Sequence, residues 1–381
     1  MIGMKTKITG KLLLRNAVVV LMVCGALWFY ALPVPSIVLR GAFVVLCGLC
    51  VFKRGLSQQL SSLEISILIF LGINILYFLG ASSGLDTPSA SAMGSIMMAL
   101  ISMSAFAFLS SQRLCEERFI VVTFVVLLVA SIGYFYYMRD SMLIEYALDE
   151  DQGITNNGSV AFVALLPWLF LIKKRWVSML GLFVCLFFLV LGAKRGNMLA
   201  AIIPSILFVA FVLRALKGWW LKLLCVIGVI AVVGGGVVTF LEEDEYLQQR
   251  LEDTMEGNSS GRDTIYRNAL DCWWYSDDAQ FWFGHGFLGT IPQIGKAAHN
   301  DWLEVLVDYG LLGVMVYGAI FYFFVRCIRR EHNFSYRMVL LASLSIWILK
   351  SLYSMAYLEA LWAVLLAPAG IVIGQNRKRL L

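Results

Sequence analysis

Apolar runs long enough to cross a bilayer follow one another along almost the whole chain, at roughly 16–32, 36–52, 63–81, 91–110, 118–138, 157–172, 176–192, 197–213, 219–241, 302–325, 336–354 and 356–374. In lipid every backbone polar group must be satisfied within its own segment, so a chain of such runs folds as helices. Hydrophobic residues make up 60% of the 381 residues and charged ones only 14%, too little charge to cover a soluble surface of that size. The expectation is an all-α, polytopic integral membrane protein of about twelve transmembrane helices, with residues 1–381 forming one membrane-embedded domain. The first run has a basic flank (Lys5, Lys7, Lys11, Arg15) and no small-residue cleavage site, and reads as a retained helix.

The loops set the orientation. With the N-terminus cytoplasmic, the inner segments hold 21 of the 30 Lys and Arg, and of the 25 acidic residues only Glu64, Glu116, Glu117 and Glu331. That asymmetry satisfies the positive-inside rule and predicts cytoplasmic N- and C-termini. The formal net charge of +5 is the sum of two opposite faces, so it gives no reason to expect a nucleic-acid partner. Cysteines supply no framework: Cys272 stands alone outside, and the CxxC pair Cys47 and Cys50 lies in an apolar run, where small polarisable core residues are the plain reading.

Two outer connections are long, near 139–156 and near 242–301, and long loops in compact proteins are usually functional. In the second, Leu247, Leu251 and Met255 recur at helical spacing, which predicts a helix lying along the bilayer surface. Trp273, Trp274, Phe281, Trp282 and Phe283 suit an interfacial belt.

Candidate chemistry gathers between 194 and 313. Lys194 and Arg195 sit in a short outer turn, against the orientation rule, where cations are costly and mark a pathway or binding site. The alternative is snorkelling to outer headgroups. Arg grips phosphate through a fork of donors, which favours Arg195. Arg250, Arg262 and Arg267 lie in an otherwise acidic loop, where solvated ion pairs are the competing reading. Arg262 follows a Ser-Ser-Gly break and is the best placed to aim inward from a helix start.

His299 precedes an apolar helix, and near neutral pH an imidazole can accept a proton from a hydroxyl. Asn300 is expected to cap that helix. Asp301, Glu304 and Asp308 fall on one face of it, either as its wet side or as groups that position a ligand. The run GHGFLG (284–289) has GxGxxG spacing without the surrounding strand–turn–helix unit, so its glycines are expected to let a loop turn tightly near a ligand, with His285 a candidate contact. No recognisable ligand spacing points to a metal, and neither metal nor cofactor is expected.

These features together resemble the O-antigen ligase/polymerase superfamily of bacterial envelope glycosyltransferases. The matching pattern is His299 followed eleven positions later by Gly310 and on to Gly313, Arg195 followed by Leu199, and Ser260-Gly261-Arg262 within the long loop. The resemblance implies an inner-membrane enzyme with a periplasmic site centred on residues 194–313. Its donor would be an oligosaccharide on undecaprenyl diphosphate, and its acceptor a glycan hydroxyl. Arg195, Arg262, Lys194 and Arg250 would hold the diphosphate, and His299 would activate the acceptor. Asn300, Asp301, Glu304 and His285 would position it. A polymerase of repeat units, with a chain-length regulator as a further partner, is the leading expectation. A ligase acting on lipid A–core or protein is the alternative, and a lipid-linked sugar flippase is the alternative of another class.

Overall fold

The computed structural model describes residues 2–29, 32, 34–81, 87–146, 156–192, 194–215, 218–220, 227–228, 231, 234–235 and 262–375. Among them every regular element is helical: α1 (Ile2–Ala26), α2 (Ser36–Ser57), α3 (Ser62–Gly80), α4 (Thr87–Ser111), α5 (Glu117–Tyr146), α6 (Val160–Leu165), α7 (Arg175–Leu191), α8 (Arg195–Ala215), α9 (Arg262–Trp274), α10 (Asp278–Phe283), α11 (Thr290–Ile294), α12 (Asp301–Arg330), α13 (Phe334–Tyr353) and α14 (Trp362–Gln375). Seven of these, α2, α3, α4, α5, α8, α12 and α13, are long and apolar enough to cross a membrane. The chain is a multi-pass membrane protein.

Three of the expected runs form helices shorter than a full span: 157–172, 176–192, which is α7, and the last. The run at 157–172 is a 3₁₀ turn (Asn157–Ser159), then α6, then a second 3₁₀ stretch (Leu166–Phe170). Pro167 lacks the N–H that a continuous ladder needs, and the whole run, Asn157–Phe170, is shorter than a full span. The last run begins as turns, and α14 starts only at Trp362. The run at 219–241 lies mostly outside the described residues, and the surface helix expected around Leu247 lies wholly outside them.

α4 is the central post, packed by α14, α2 and α3. Its contact with α14 depends on small residues: a Cβ added to Gly370 would meet the Met103 carbonyl oxygen at 2.1 Å, and one on Gly374 the Ala107 carbonyl oxygen at 2.2 Å. Without a hydrophobic force between helices in lipid, such close backbone approach is what holds a pair together. Gly370→Ala is therefore expected to cost about 1–3 kcal/mol of stability. Gly72→Ala, with nothing within 4 Å, should leave the melting temperature unchanged or raise it, and thermal unfolding in detergent compares the two.

At one end of the bundle the loop cations are built into the fold. Arg54 is 1% exposed and forks onto Glu64 at 2.6 and 2.9 Å. Glu64 in turn closes a capping box with Ser61 at the start of α3. Lys173 pairs with Glu117 at this same end.

Candidate active site

The opposite end of the bundle carries the chemistry singled out in the sequence. Lys194 lies between α7 and α8 and donates to Asn157 Oδ1 at 2.5 Å. The turn at 156–159 is shaped to receive it. The Asn156 amide donates to the Gly192 carbonyl (3.0 Å), and its side chain bridges the Gly158 amide and the Phe135 carbonyl. Asn197, one turn into α8, donates to Ser159 Oγ at 2.7 Å and accepts from Lys350 Nζ at 3.1 Å. Lys350, near the end of α13, is 2% exposed.

Arg262 opens α9 and is half-buried; it lies within electrostatic reach of both Lys194 and His299. α9 is tied to the end of α13 by the Tyr266 hydroxyl, which donates to the Leu352 carbonyl, the same carbonyl that accepts from Asn300 Nδ2. The structure thus brings Lys194, Arg262 and His299 to one side of the bundle, although 105 positions separate the first from the last. Arg195 is the first residue of α8, but its side chain lies outside the described residues, as does the whole of Arg250.

His299 adopts φ +53°, a left-handed conformation uncommon for any residue but glycine and less so for histidine than for most. Its ring is exposed. Partial burial, then the Arg262 and Lys194 cations, hold the imidazole below its ordinary value, so the ring is neutral at pH 7 and free to accept a proton. Burial pushes the Lys194 ammonium down to about 8, with Lys350 and Arg262 adding to the fall and Glu359 opposing it. Like charges are crowded here, as expected of a site built for an anion.

The next helix behaves differently from the sequence expectation. Asn300 caps it, accepting from the Trp302 and Leu303 amides. Asp301, Glu304 and Asp308 do share a face, but that face is buried, at 0%, 2% and 0% exposure. Each acid clamps a loop. Asp301 accepts from the Tyr317 hydroxyl and the Ala356 amide, both at 2.7 Å. Glu304 accepts from the Ala298 amide at 2.5 Å, directly before His299. Asp308 takes the amide and hydroxyl of Thr290 at 2.8 and 2.7 Å. The wet-face reading is wrong because the loops at 285–298 and 354–357 fold over that side of the helix.

The glycine run has a structural use that the sequence reading missed. α12 is broken at Gly310 (φ +65°, ψ −165°). The 284–286 loop crosses the break, with the His285 amide donating to the Val307 carbonyl (2.8 Å) and the Gly286 amide to the Asp308 carbonyl (3.0 Å). Carbonyls released by the interrupted ladder are thereby satisfied. The His285 ring contacts Cys272 Sγ at 3.5 Å. The belt aromatics are mostly open, with Trp274 at 65% and Phe283 at 56% exposure, while Trp273 stacks on Phe281.

A cavity of about 680 Å³, lined in part by Arg113, Glu117, Lys173, Arg175 and Asn333, lies at the far ends of α7 and α13. It is a helix length away from this cluster, and its size alone does not make it the reaction site.

Asn157, Ser159, Asn197, Lys350 and Glu359 went unassigned to a transfer site in the sequence. Only the Asn-Asn-Gly-Ser run, turn chemistry leading into an apolar segment, gave any signal for the first two. No curated protein matches the chain. The segment 180–318, which contains Lys194, Arg262 and His299, matches the family model described as O-antigen ligase.

Proposed function

We propose that this protein transfers a glycan from undecaprenyl diphosphate to an acceptor sugar hydroxyl at the periplasmic face of the bacterial inner membrane. The observation that carries the reading is the convergence of two crowded cations, Lys194 and Arg262, with one proton-accepting imidazole, His299. Arg195, adjacent to Lys194 in the chain, is proposed as the third cation, and Arg250 as an auxiliary one.

Each atom of the transfer has a group to serve it. The acceptor oxygen forms a bond to the anomeric carbon as the carbon–oxygen bond to diphosphate breaks. His299 takes the hydroxyl proton, and the growing negative charge on the diphosphate is met by preorganised cations. Direct displacement inverts the anomeric centre. Asn300 and the α12 acids Asp301 and Glu304 act by fixing the loop that presents His299, and His285 by anchoring the loop across the helix break. The Lys and Arg bias supports an orientation with this end of the bundle outside and both termini inside.

Polymerisation of repeat units is the preferred form of the reaction, and the modest size of the outer loops, the two long ones included, favours it. The family description favours the second form, ligation of finished glycan to lipid A–core or protein. Deleting the gene separates them: loss of a polymerase leaves single repeat units on the acceptor, and loss of a ligase leaves none. A normal ladder of lengths in the deletion strain refutes both. Reconstitution with purified lipid-linked repeat unit, in EDTA, tests enzyme against flippase. A new glycosidic bond supports transfer without a metal. Sugar crossing the bilayer with no new bond supports the flippase, for which a helix broken at Gly310 is the favouring feature.

The charge states predict a bell-shaped dependence of kcat/KM on pH. The imidazole acts as a base only when neutral, so activity falls as pH drops through a value below 6.5. The ammonium binds diphosphate only when charged, so activity falls again as pH rises through about 8. Because kcat/KM reports the free enzyme, a profile flat between pH 6 and 9 contradicts the assignment.

A further inference from the structure

The carboxylates of α12 are all engaged, and one acid near the cations is not. Glu359 lies in the turns between α13 and α14, and its Oε2 is buried without a hydrogen-bond partner. The same crevice, about 10 Å³ in volume, is lined by Glu359, by Trp362 with its indole nitrogen likewise buried and unpartnered, and by Lys350. It is at the lower limit of size for one water, so solvent compensates neither group well. Lys350 is almost wholly buried, yet its hydrogen-bond partner, Asn197 Oδ1, is neutral. A buried ammonium with a neutral partner and a buried carboxylate oxygen with none are each costly on their own. Both line one crevice, which sets opposite charges on its walls without a direct ion pair between them.

The position of Glu359 is held from outside. Asp301 fixes the Ala356 amide, and Asp308 lies at 3.5 Å from the Tyr357 hydroxyl, so the turn that carries Glu359 is pinned to the helix that follows His299. Among the described residues, the groups near Lys194 are Lys350 from α13, Arg262 from α9, His299 from the loop before α12, Asn157 from the 156–159 turn, and Glu359. Glu359 is the acid among them.

We propose that Glu359 is a positioning residue for the diphosphate site, the fixed counter-charge that holds Lys350 and Lys194 directed at the donor. Lys350 becomes a further cation of that site, presented through Asn197. Both residues lie outside the segment matched by the family model. The inference rests on reading Lys194 and His299 as a glycan-transfer site.

Two measurements on the full-length protein in nanodiscs test it. The first is reaction of Lys194 with an amine-reactive acylating reagent as a function of pH, read by mass spectrometry, which needs no activity. Removing the counter-charge in Glu359→Gln should move the Lys194 midpoint down by about one pH unit, with Glu359→Asp close to wild type. The second is transfer kinetics with lipid-linked repeat unit. Glu359→Gln should raise the donor KM about tenfold at pH 8 and shift the alkaline limb to lower pH, with a smaller effect on kcat; Glu359→Asp should restore both. An unmoved Lys194 midpoint in Glu359→Gln overturns the inference even if transfer is normal. A midpoint that moves in Glu359→Gln, with the wild-type protein making no glycosidic bond, leaves the counter-charge standing and sinks the transfer reading.

Discussion

Replacing His299 by Ala is expected to lower the proposed glycan transfer by about 10²–10⁴-fold, the usual range for loss of a positioned general base, while the lipid-linked donor still binds with near wild-type affinity. The separation follows from geometry. The cations proposed to grip the diphosphate come from the α7–α8 turn and the start of α9, whereas His299 comes from the loop before α12. Removing the ring deletes no cation, and it relieves a site in which the imidazole already avoids a second positive charge. The left-handed backbone at 299 offers a competing explanation, since Ala is less at ease there than His. Asn tolerates that conformation well but cannot take up a proton at neutral pH. His299→Asn should therefore lose as much activity as His299→Ala. An Asn variant that keeps most of its turnover, or either variant failing mainly in donor binding, would remove His299 from the proton transfer.

Charge that contradicts a local rule was legible in the sequence, and charge that completes a fold was not. Lys194 and Arg262 stood out because cations on the acidic outer side need a reason, and His299 because it heads an apolar helix. The partners of Lys194 could not be read. Asn157 and Asn197 are ordinary turn and helix residues until packing sets them beside Lys194 and Lys350, and Lys350 meets Asn197 across 153 positions. Helical periodicity placed Asp301, Glu304 and Asp308 on one face but could not say which way the face looks. That depended on loops closing over it from both chain directions. The same limit applies to the run at 157–172, whose apolar content reads as a span but whose Pro167 and flanking 3₁₀ turns break it into short pieces.

Gly310→Ala should abolish transfer and lower the melting temperature sharply, the largest stability loss expected from any single methyl group near the site. Gly310 sits at φ +65°, ψ −165°, a region essentially closed to L side chains and costing about 1–3 kcal/mol where one is forced into it. A Cβ there would also stand 2.4 Å from the Trp282 carbonyl carbon and 2.6 Å from the Phe283 nitrogen. Backbone cannot swing away as a flexible side chain can. Gly284 faces it from the crossing loop with the same problem in reverse, its Cβ falling 2.4 Å from the Asp308 carbonyl and the Tyr309 nitrogen at φ +77°. The two glycines thus let two backbones touch where α12 breaks, and the loop that crosses there runs on through Thr290 to His299. Separating them strips the Val307 and Asp308 carbonyls of their donors and loosens the Asp308–Thr290 clamp. Gly318→Ala, in the same helix with its nearest neighbour at 3.9 Å, should behave as wild type in both assays. If Gly310→Ala melts and transfers like Gly318→Ala, the crossing is not what aims His299, and the ring must be held by the Glu304 clamp alone.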